Sequence, residues 1–237
     1  MIAAENLRLA LSGREIFAIE SLSLHRGEVL ALVGPNGAGK SSLLLTLALL
    51  QRPTEGRITF DGTPAENGNL LKMRRRMAVV FQDALLLDTS VRANLSIPLR
   101  IRGFSRREIG GRTQKWLRRF GIEHLARRPA RTLSGGEAQR TSLARAFAME
   151  PEVLFLDEPF ASLDYPTRKA LLDDLGPILQ DMNMTTLFVT HDYTEIPHLA
   201  QQVAVLFEGR IIRSGSVREV FGDELLERRL CVPWDMP

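Results

Sequence analysis

The stretch GPNGAGKSS at residues 34–42 concentrates glycines, a lysine and hydroxyls between the apolar run EVLALV and the segment SSLLLTLALL. In the spacing G-x-x-x-x-G-K-[ST], after a strand and at the start of a helix, such residues form a phosphate-binding loop. Gly34, Gly37 and Gly39 let backbone amides close around phosphate oxygens, with Pro35, Asn36, Ala38 and Ser42 in the same cradle. Lys40 is placed to bridge the β and γ oxygens of a nucleotide, and the Ser41 hydroxyl to help hold Mg²⁺. Downstream, VLFLDE at 153–158 delivers two adjacent carboxylates at the end of an apolar strand, where a parallel sheet places its ligands. Asp157 would hold the metal through its waters, and Glu158 would polarise an attacking water as general base. His191 follows TTLFVT and precedes DYTE; a lone histidine at a strand end is by default structural. If the strands carrying Asp157 and His191 are neighbours, His191 faces the γ-phosphate. Gln82, after MAVVF, can touch metal or water.

A second anion site lies at LSGGEAQR, residues 133–140. Ser134 can cap a helix there, Glu137 can complete a capping box, and the glycines leave the amides of Ser134, Gly135 and Gly136 open to phosphate. As a capping box alone it is worth about 1 kcal/mol to its helix. One loop already surrounds a triphosphate, so the second site is redundant within one chain unless it serves the nucleotide of another. Two copies facing head to tail would use both, with ATP sandwiched between one chain's 34–41 loop and the other's 134–136 helix start.

Around these motifs, residues 3–33 alternate in short runs before VLALVG, and GRITFDG at 56–62 adds a hairpin-like piece ending in Asp-Gly, which predicts a β-rich entry. From about 83 to 150 the pattern turns helical, with Ile109, Trp116, Leu117 and Phe120 on one stripe interrupted by Gly110 and Gly111. From 153, the strand VLFL, a helix from about 166 to 181, and the strands TTLFVT and VAVLF restore an α/β alternation.

The chain has 237 residues, 44% of them hydrophobic, enough for one packed α/β unit. Its longest apolar run, at 41–50, reaches only about half of the roughly 20 residues a membrane-spanning helix needs. The N-terminus lacks the basic and apolar segments of a secretory signal. The single cysteine, Cys231, reads as incidental. Net charge is +3, with basic residues concentrated between Arg100 and Arg131. There they alternate with apolar positions, as on the solvated face of packed helices, and no nucleic-acid partner is expected.

These motifs together resemble the ATP-binding cassette family, the nucleotide-binding subunits of ABC transporters, along nearly the whole chain. GPNGAGKSS resembles the Walker A motif, VVFQD the Q-loop with Gln82, LSGGE the signature, VLFLDE the Walker B motif, SLD at 162–164 the D-loop and THD at 190–192 the switch histidine. The resemblance implies a P-loop NTPase: an α/β RecA-like core with an antiparallel β lobe, spanning 1–82 and 151–237, and an inserted helical lobe at 83–150. It implies ATP and Mg²⁺ as cofactors, a dimer closing on two ATP, Asp164 working across its interface, and a region after Gln82 that meets an integral membrane subunit. That region, DALLLDTSVRANLSIPLRIRG, reads equally as a docking groove or as lobe core. Two departures stand out. The aromatic that usually stacks on adenine is missing, leaving Leu11 or Phe17 as substitutes. The signature ends in Glu137 where glutamine is commoner, so its carboxylate is expected to point back into the capping box.

The expected function is an ATPase that powers solute transport through a separate membrane protein, peripherally at the cytoplasmic side of the membrane. The short tail after Phe221 reads as too small for a regulatory domain. By analogy the chain is an importer subunit, with an oxyanion (tungstate, molybdate, phosphate) or an amino acid as cargo and a solute-binding protein as a further partner. A soluble cassette acting on nucleic acid or ribosomes is the alternative, supported only by the basic segment. A phosphoryl-transferring kinase would leave 133–137 unexplained.

Overall fold

A computed structural model describes residues 1–222; Cys231 and the rest of the tail from residue 223 lie outside them. Two strands, β1 (Ile2–Leu11) and β2 (Arg14–Leu24), form a hairpin. It turns on Ser12 and Gly13, whose φ angles of 50° and 80° suit the tight turns that match strand twist. β3 (Val29–Val33) then runs into helix α1 (Lys40–Leu47). β4 (Glu55–Phe60) and the short β5 (Thr63–Pro64) reverse at Asp61-Gly62, and β4 pairs with β1. The result is an antiparallel sheet in the order β2-β1-β4-β5.

After α2 (Leu70–Arg74) and β6 (Met77–Val80), the chain makes three α-helices, α3 (Val91–Ile101), α4 (Arg106–Arg119) and α5 (Gly135–Ala148), with short 3-10 turns at Glu123–Leu125 and Ala130–Thr132 between the last two. α4 runs straight through Gly110 and Gly111. Both face open space, and a Ser105–Glu108 capping box with Arg118 and Arg119 in the last turn compensates their low helix propensity. Trp116 and Leu117 of α4 and Phe120 at its C-terminal end are buried, with the Trp116 and Phe120 rings packed at a tilt against Phe147 of α5.

The remaining chain alternates: β7 (Val153–Asp157), α6 (Tyr165–Asp181), β8 (Thr185–Thr190), α7 (Ile196–Leu199), β9 (Gln202–Phe207), β10 (Arg210–Ser216) and α8 (Val217–Phe221). Its strands join β3 and β6 in a second sheet ordered β10-β9-β3-β8-β7-β6, parallel except for β10. Side chains alternate across this sheet, because strand residues point to opposite faces in turn. Ala31, Leu154, Leu156 and Phe188 join the core beneath α3–α6, while Leu32, Phe155 and Leu187 join the one shared with α1 and the antiparallel sheet. Burial on both faces is what makes these strands continuously apolar in sequence. Among the described residues, no helix is long and apolar enough to cross a membrane.

Candidate functional site

The parallel strands end together at one edge, and the residues singled out for chemistry hang from it. β3 releases the 34–39 loop, which must press close to β9. A Cβ on Gly34 would lie 2.0 Å from the Leu206 carbonyl oxygen, so no side chain fits there. Gly39 caps α1 at φ 98°, a conformation that glycine adopts without steric cost. Lys40 is buried and donates to the carbonyls of Gly34 and Pro35 at 2.9 and 3.1 Å, with Glu158 3.8 Å away. Burial lowers the pKa of its ammonium, while the Glu158 and Asp157 carboxylates oppose that shift.

β8 lies between β3 and β7, so Asp157 meets the phosphate loop by reaching past it. The Ser41 hydroxyl donates to Asp157 Oδ1 at 2.9 Å. Burial pushes the Asp157 carboxyl above the usual range. A hydroxyl and a carboxylate beside an open phosphate loop form an all-oxygen donor set, which fits a magnesium ion that completes its shell with phosphate oxygens and water. Among the described residues there is no cluster of three His, Cys, Asp or Glu side chains able to hold a metal by themselves.

β7 and β8 are direct neighbours, in parallel register from Val153–Thr185 to Asp157–Val189. That adjacency brings together the two residues that follow them: His191 Nδ1 sits 2.9 Å from Glu158 Oε2. Glu158 is held at φ 46°, with its amide donating to the Val189 carbonyl at 3.0 Å. Its two carboxylate oxygens thus face Lys40 and His191 respectively.

Ser134 caps α5 and forms the expected capping box with Glu137. Glu137 Oε2 accepts from the Ser134 amide at 2.7 Å, and Arg128 pairs with the other oxygen at 3.3 Å. That backbone hydrogen bond is the largest influence holding the Glu137 carboxyl below its usual range. The geometry corrects one expectation: the Ser134 amide is consumed by the box. Only the Gly135 and Gly136 amides remain at a helix start where the helix itself supplies no acceptor.

Asp164 caps α6, taking the Thr167 amide and hydroxyl, each at 3.0 Å. A Cβ on Gly136 would lie 2.4 Å from Thr167 Cγ2, and one on Gly135 would lie 3.8 Å from Leu163 Cδ2. The starts of α5 and α6 are therefore in contact, with Ser134, Gly135 and Asp164 all exposed.

Gln82 lies just past β6 and is exposed, with no part in the hydrogen bonds that join the loop, Asp157, Glu158 and His191. The segment around it is tied to α5: Gln139 Nε2 donates to the Phe81 carbonyl at 3.3 Å, and Arg145 to those of Ala84 and Leu85 at 3.0 and 2.9 Å. Beyond it the chain divides. Val91, Leu95 and Leu99 are core, whereas Leu85 and Ile101 are 61% and 77% exposed.

Phe17 is corrected outright as a base-stacking residue, because it is fully buried in the core shared with α1. The neighbouring Ile16, on the alternate face of β2, meets the loop instead. Its Cγ2 lies 3.3 Å from where a Gly39 Cβ would be. Period-two alternation was the available signal, but it does not say which face turns inward. Leu11 is 46% exposed at the end of β1. In the basic segment, Arg112 pairs with Glu150, Arg118 with Glu123 and Arg119 with Asp181.

The family model of the ABC transporter matches residues 19–161. The chain is 40% identical over 202 residues to the molybdate/tungstate import ATP-binding protein WtpC of Thermococcus kodakarensis, covering 85% of this chain and 61% of that one. It is 37% identical over 228 residues to the methionine import ATP-binding protein MetN of Carboxydothermus hydrogenoformans, covering 93% and 68%. It spans about three fifths to two thirds of the length of these relatives. Among solved structures, cbiO1 from Clostridium perfringens, part of the ABC transporter complex cbiONQ, superposes with a TM-score of 0.88 at 34% identity, covering 96% of this chain and 92% of that one. The ATP-binding cassette MJ0796, solved as a dimer bound to ADP and Pi, gives 0.81 at 27% identity, covering 92% and 99%. The fold is a P-loop NTPase cassette, and the chain belongs to the ABC transporter family.

Proposed function

We propose that the chain is the ATP-hydrolysing subunit of an ABC importer and works as a head-to-tail dimer. The observation that carries this reading is Glu158, whose carboxylate faces Lys40 of the phosphate loop on one side and His191 on the other. A carboxylate so placed can accept the proton of an attacking water while a neighbouring histidine fixes its orientation. The 34–42 loop would hold the phosphates of ATP, with Lys40 turning from its own loop carbonyls to the β and γ oxygens. Ser41 and Asp157 would hold Mg²⁺, with Gln82 reaching the metal or the water as the loop closes. The metal would supply charge neutralisation at the phosphate oxygens. The Gly135 and Gly136 amides and Asp164 would meet the nucleotide bound by a second copy, since both helix starts open on the same exposed face.

Leu85 and Leu87, soon after Gln82 in the chain, are exposed apolar residues, as is Ile101 at the end of α3; such side chains are suited to an integral membrane subunit. Binding there would keep the protein peripheral at the cytoplasmic side of the membrane. The relatives named for molybdate/tungstate and methionine import support import, with an oxyanion or an amino acid as cargo and a solute-binding protein as a further partner. Mass spectrometry of what copurifies with the tagged chain from gently solubilised membranes tests the assignment. A polytopic membrane protein is the expected companion; ribosomes or nucleic acid without one would overturn it.

A further inference from the structure

One buried acid beside the catalytic pair has no part in the mechanism above. Glu195 is 2% exposed and accepts a hydrogen bond from the Thr190 hydroxyl at 2.6 Å. Arg168 approaches from α6, its Nε 4.0 Å from Glu195 Oε1 and buried without a hydrogen-bond partner. Each terminal nitrogen of this guanidinium makes a hydrogen bond to a different segment. One terminal nitrogen donates to the Leu163 carbonyl at 3.1 Å, and the other to Asp192 Oδ2 at 2.6 Å.

The location of these bonds matters more than their number. Leu163 immediately precedes Asp164, on the face proposed to meet the second chain. Asp192 immediately follows His191, and its amide donates to the same Thr190 hydroxyl that Glu195 holds, at 2.9 Å. Thr190 and Asp192 flank His191 in sequence, so the histidine backbone is clamped on both sides by groups that converge on Arg168 and Glu195. A polar cavity of about 10 Å³ separates this cluster from Glu158, room for about one water.

We propose that Arg168 and Glu195 are positioning residues for hydrolysis: they lock the carbonyl before Asp164 to the carboxylate after His191, so that closure against a second chain sets the Glu158–His191 geometry. The inference rests on the ATPase reading and adds a route from the dimer face to the general base. Glu195 is buried but Arg168 only half-buried, and the two are 4.0 Å apart; what points to positioning is that their hydrogen bonds hold the residues on both sides of His191.

The charge on Glu195 provides the means to test it. Burial is the largest influence on its carboxyl and pushes its pKa up to about 7, with Asp192 and Glu158 adding to the rise and Arg168 and the Thr190 hydroxyl opposing it. Above that value Glu195 is an anion facing Arg168; below it the partner is neutral. Glu195→Gln keeps the shape and imitates the neutral form at every pH.

Phosphate release by the purified chain should be measured against ATP concentration from about pH 5.5 to 8.5, for the wild type and Glu195→Gln, with fluorescent-nucleotide binding alongside. The expected result is a KM and nucleotide affinity within about twofold of wild type, with kcat about tenfold lower at pH 8 and converging on wild type near pH 6. The inflection near pH 7 in the wild-type kcat profile should vanish. Arg168→Lys should retain part of the rate that Arg168→Met loses. A variant profile that superposes on wild type, or the same fractional loss at every pH, overturns the positioning role. Absence of phosphate release by the wild type, despite nucleotide binding, would instead remove the ATPase reading on which it rests.

Discussion

His191 Nδ1 lies 2.9 Å from Glu158 Oε2, although the two residues come from different strands and are joined only by the parallel pairing of β7 with β8. The contact lies within one chain, so the carboxylate proposed as general base is oriented by its own neighbouring strand. In the proposed head-to-tail dimer, a second chain would add the other half of the phosphate cradle.

Replacing Glu158 with Gln should separate binding from hydrolysis. The amide keeps the side-chain volume and loses the proton acceptor, so kcat is expected to fall at least about 100-fold, or about 3 kcal/mol of transition-state stabilisation. ATP affinity should be retained, and an ATP-dependent dimer should accumulate on size exclusion. Turnover near the wild-type rate would remove Glu158 from its role.

Glu137 gives a prediction of the opposite kind. Its carboxylate is turned onto the Ser134 amide and Arg128, away from any phosphate at the helix start. Glu137→Gln should therefore change ATP affinity by less than about threefold. Because the folded pKa lies below the ordinary 4.5, the acid contributes stability above that pH and loses it as pH falls through the lowered value. In urea titrations near neutrality, wild type and variant should differ in unfolding free energy by less than about 1 kcal/mol, as befits a partly exposed group, and converge toward acid. A large gain in ATP affinity would place the acid against the phosphate instead.

Contact between the starts of α5 and α6 predicts a specific suppressor. Gly136→Ala would drive a methyl into Thr167 Cγ2 and disturb the hydroxyl that Asp164 holds, at a cost of about 1–3 kcal/mol. Thr167→Ser removes that methyl and keeps the hydroxyl. In thermal melts the double variant should recover about half or more of the loss; strictly additive losses would mean that the two helix starts do not touch in solution.

Phe17→Leu should lower the melting temperature, by the loss of about 1–2 kcal/mol of core packing, and leave nucleotide affinity unchanged. Ile16→Asp, on the opposite face of the strand, should weaken nucleotide binding through its position beside the loop. Titration with a fluorescent nucleotide distinguishes the two, and weaker binding in Phe17→Leu alone would contradict the assignment.

Chemistry that resides in contiguous residues was legible in the sequence. The 34–42 loop, the Asp157–Glu158 pair and the Ser134–Glu137 capping box each declare themselves within a few positions, because backbone geometry over such spans follows directly from residue type. Strand order was not legible: no local pattern says that β8 lies between β3 and β7, and hence that Ser41 must reach past a strand to Asp157. Nor could the inward face of β2 be chosen, since Ile16 and Phe17 alternate and either could have been buried. The capping box was visible, but its consumption of the Ser134 amide depends on where the Glu137 carboxylate turns. Arg168 and Glu195 carried no signal at all, because the role proposed for them rests on contacts in space with Leu163, Thr190 and Asp192, which no local pattern displays.

Shared sites between two copies are the central claim, and mixing two disabled variants tests it most directly. Lys40→Ala should cripple the phosphate loop, and Ser134→Arg should block the helix start while leaving ATP binding to the single chain largely intact; each alone should hydrolyse little ATP. A mixed dimer joins the intact loop of one variant to the intact helix start of the other. Equal mixing should therefore restore roughly a quarter of the wild-type rate, since about half of random pairs are mixed and each holds one good site of two. No recovery at any ratio, or full activity of Ser134→Arg alone, would contradict the head-to-tail sandwich.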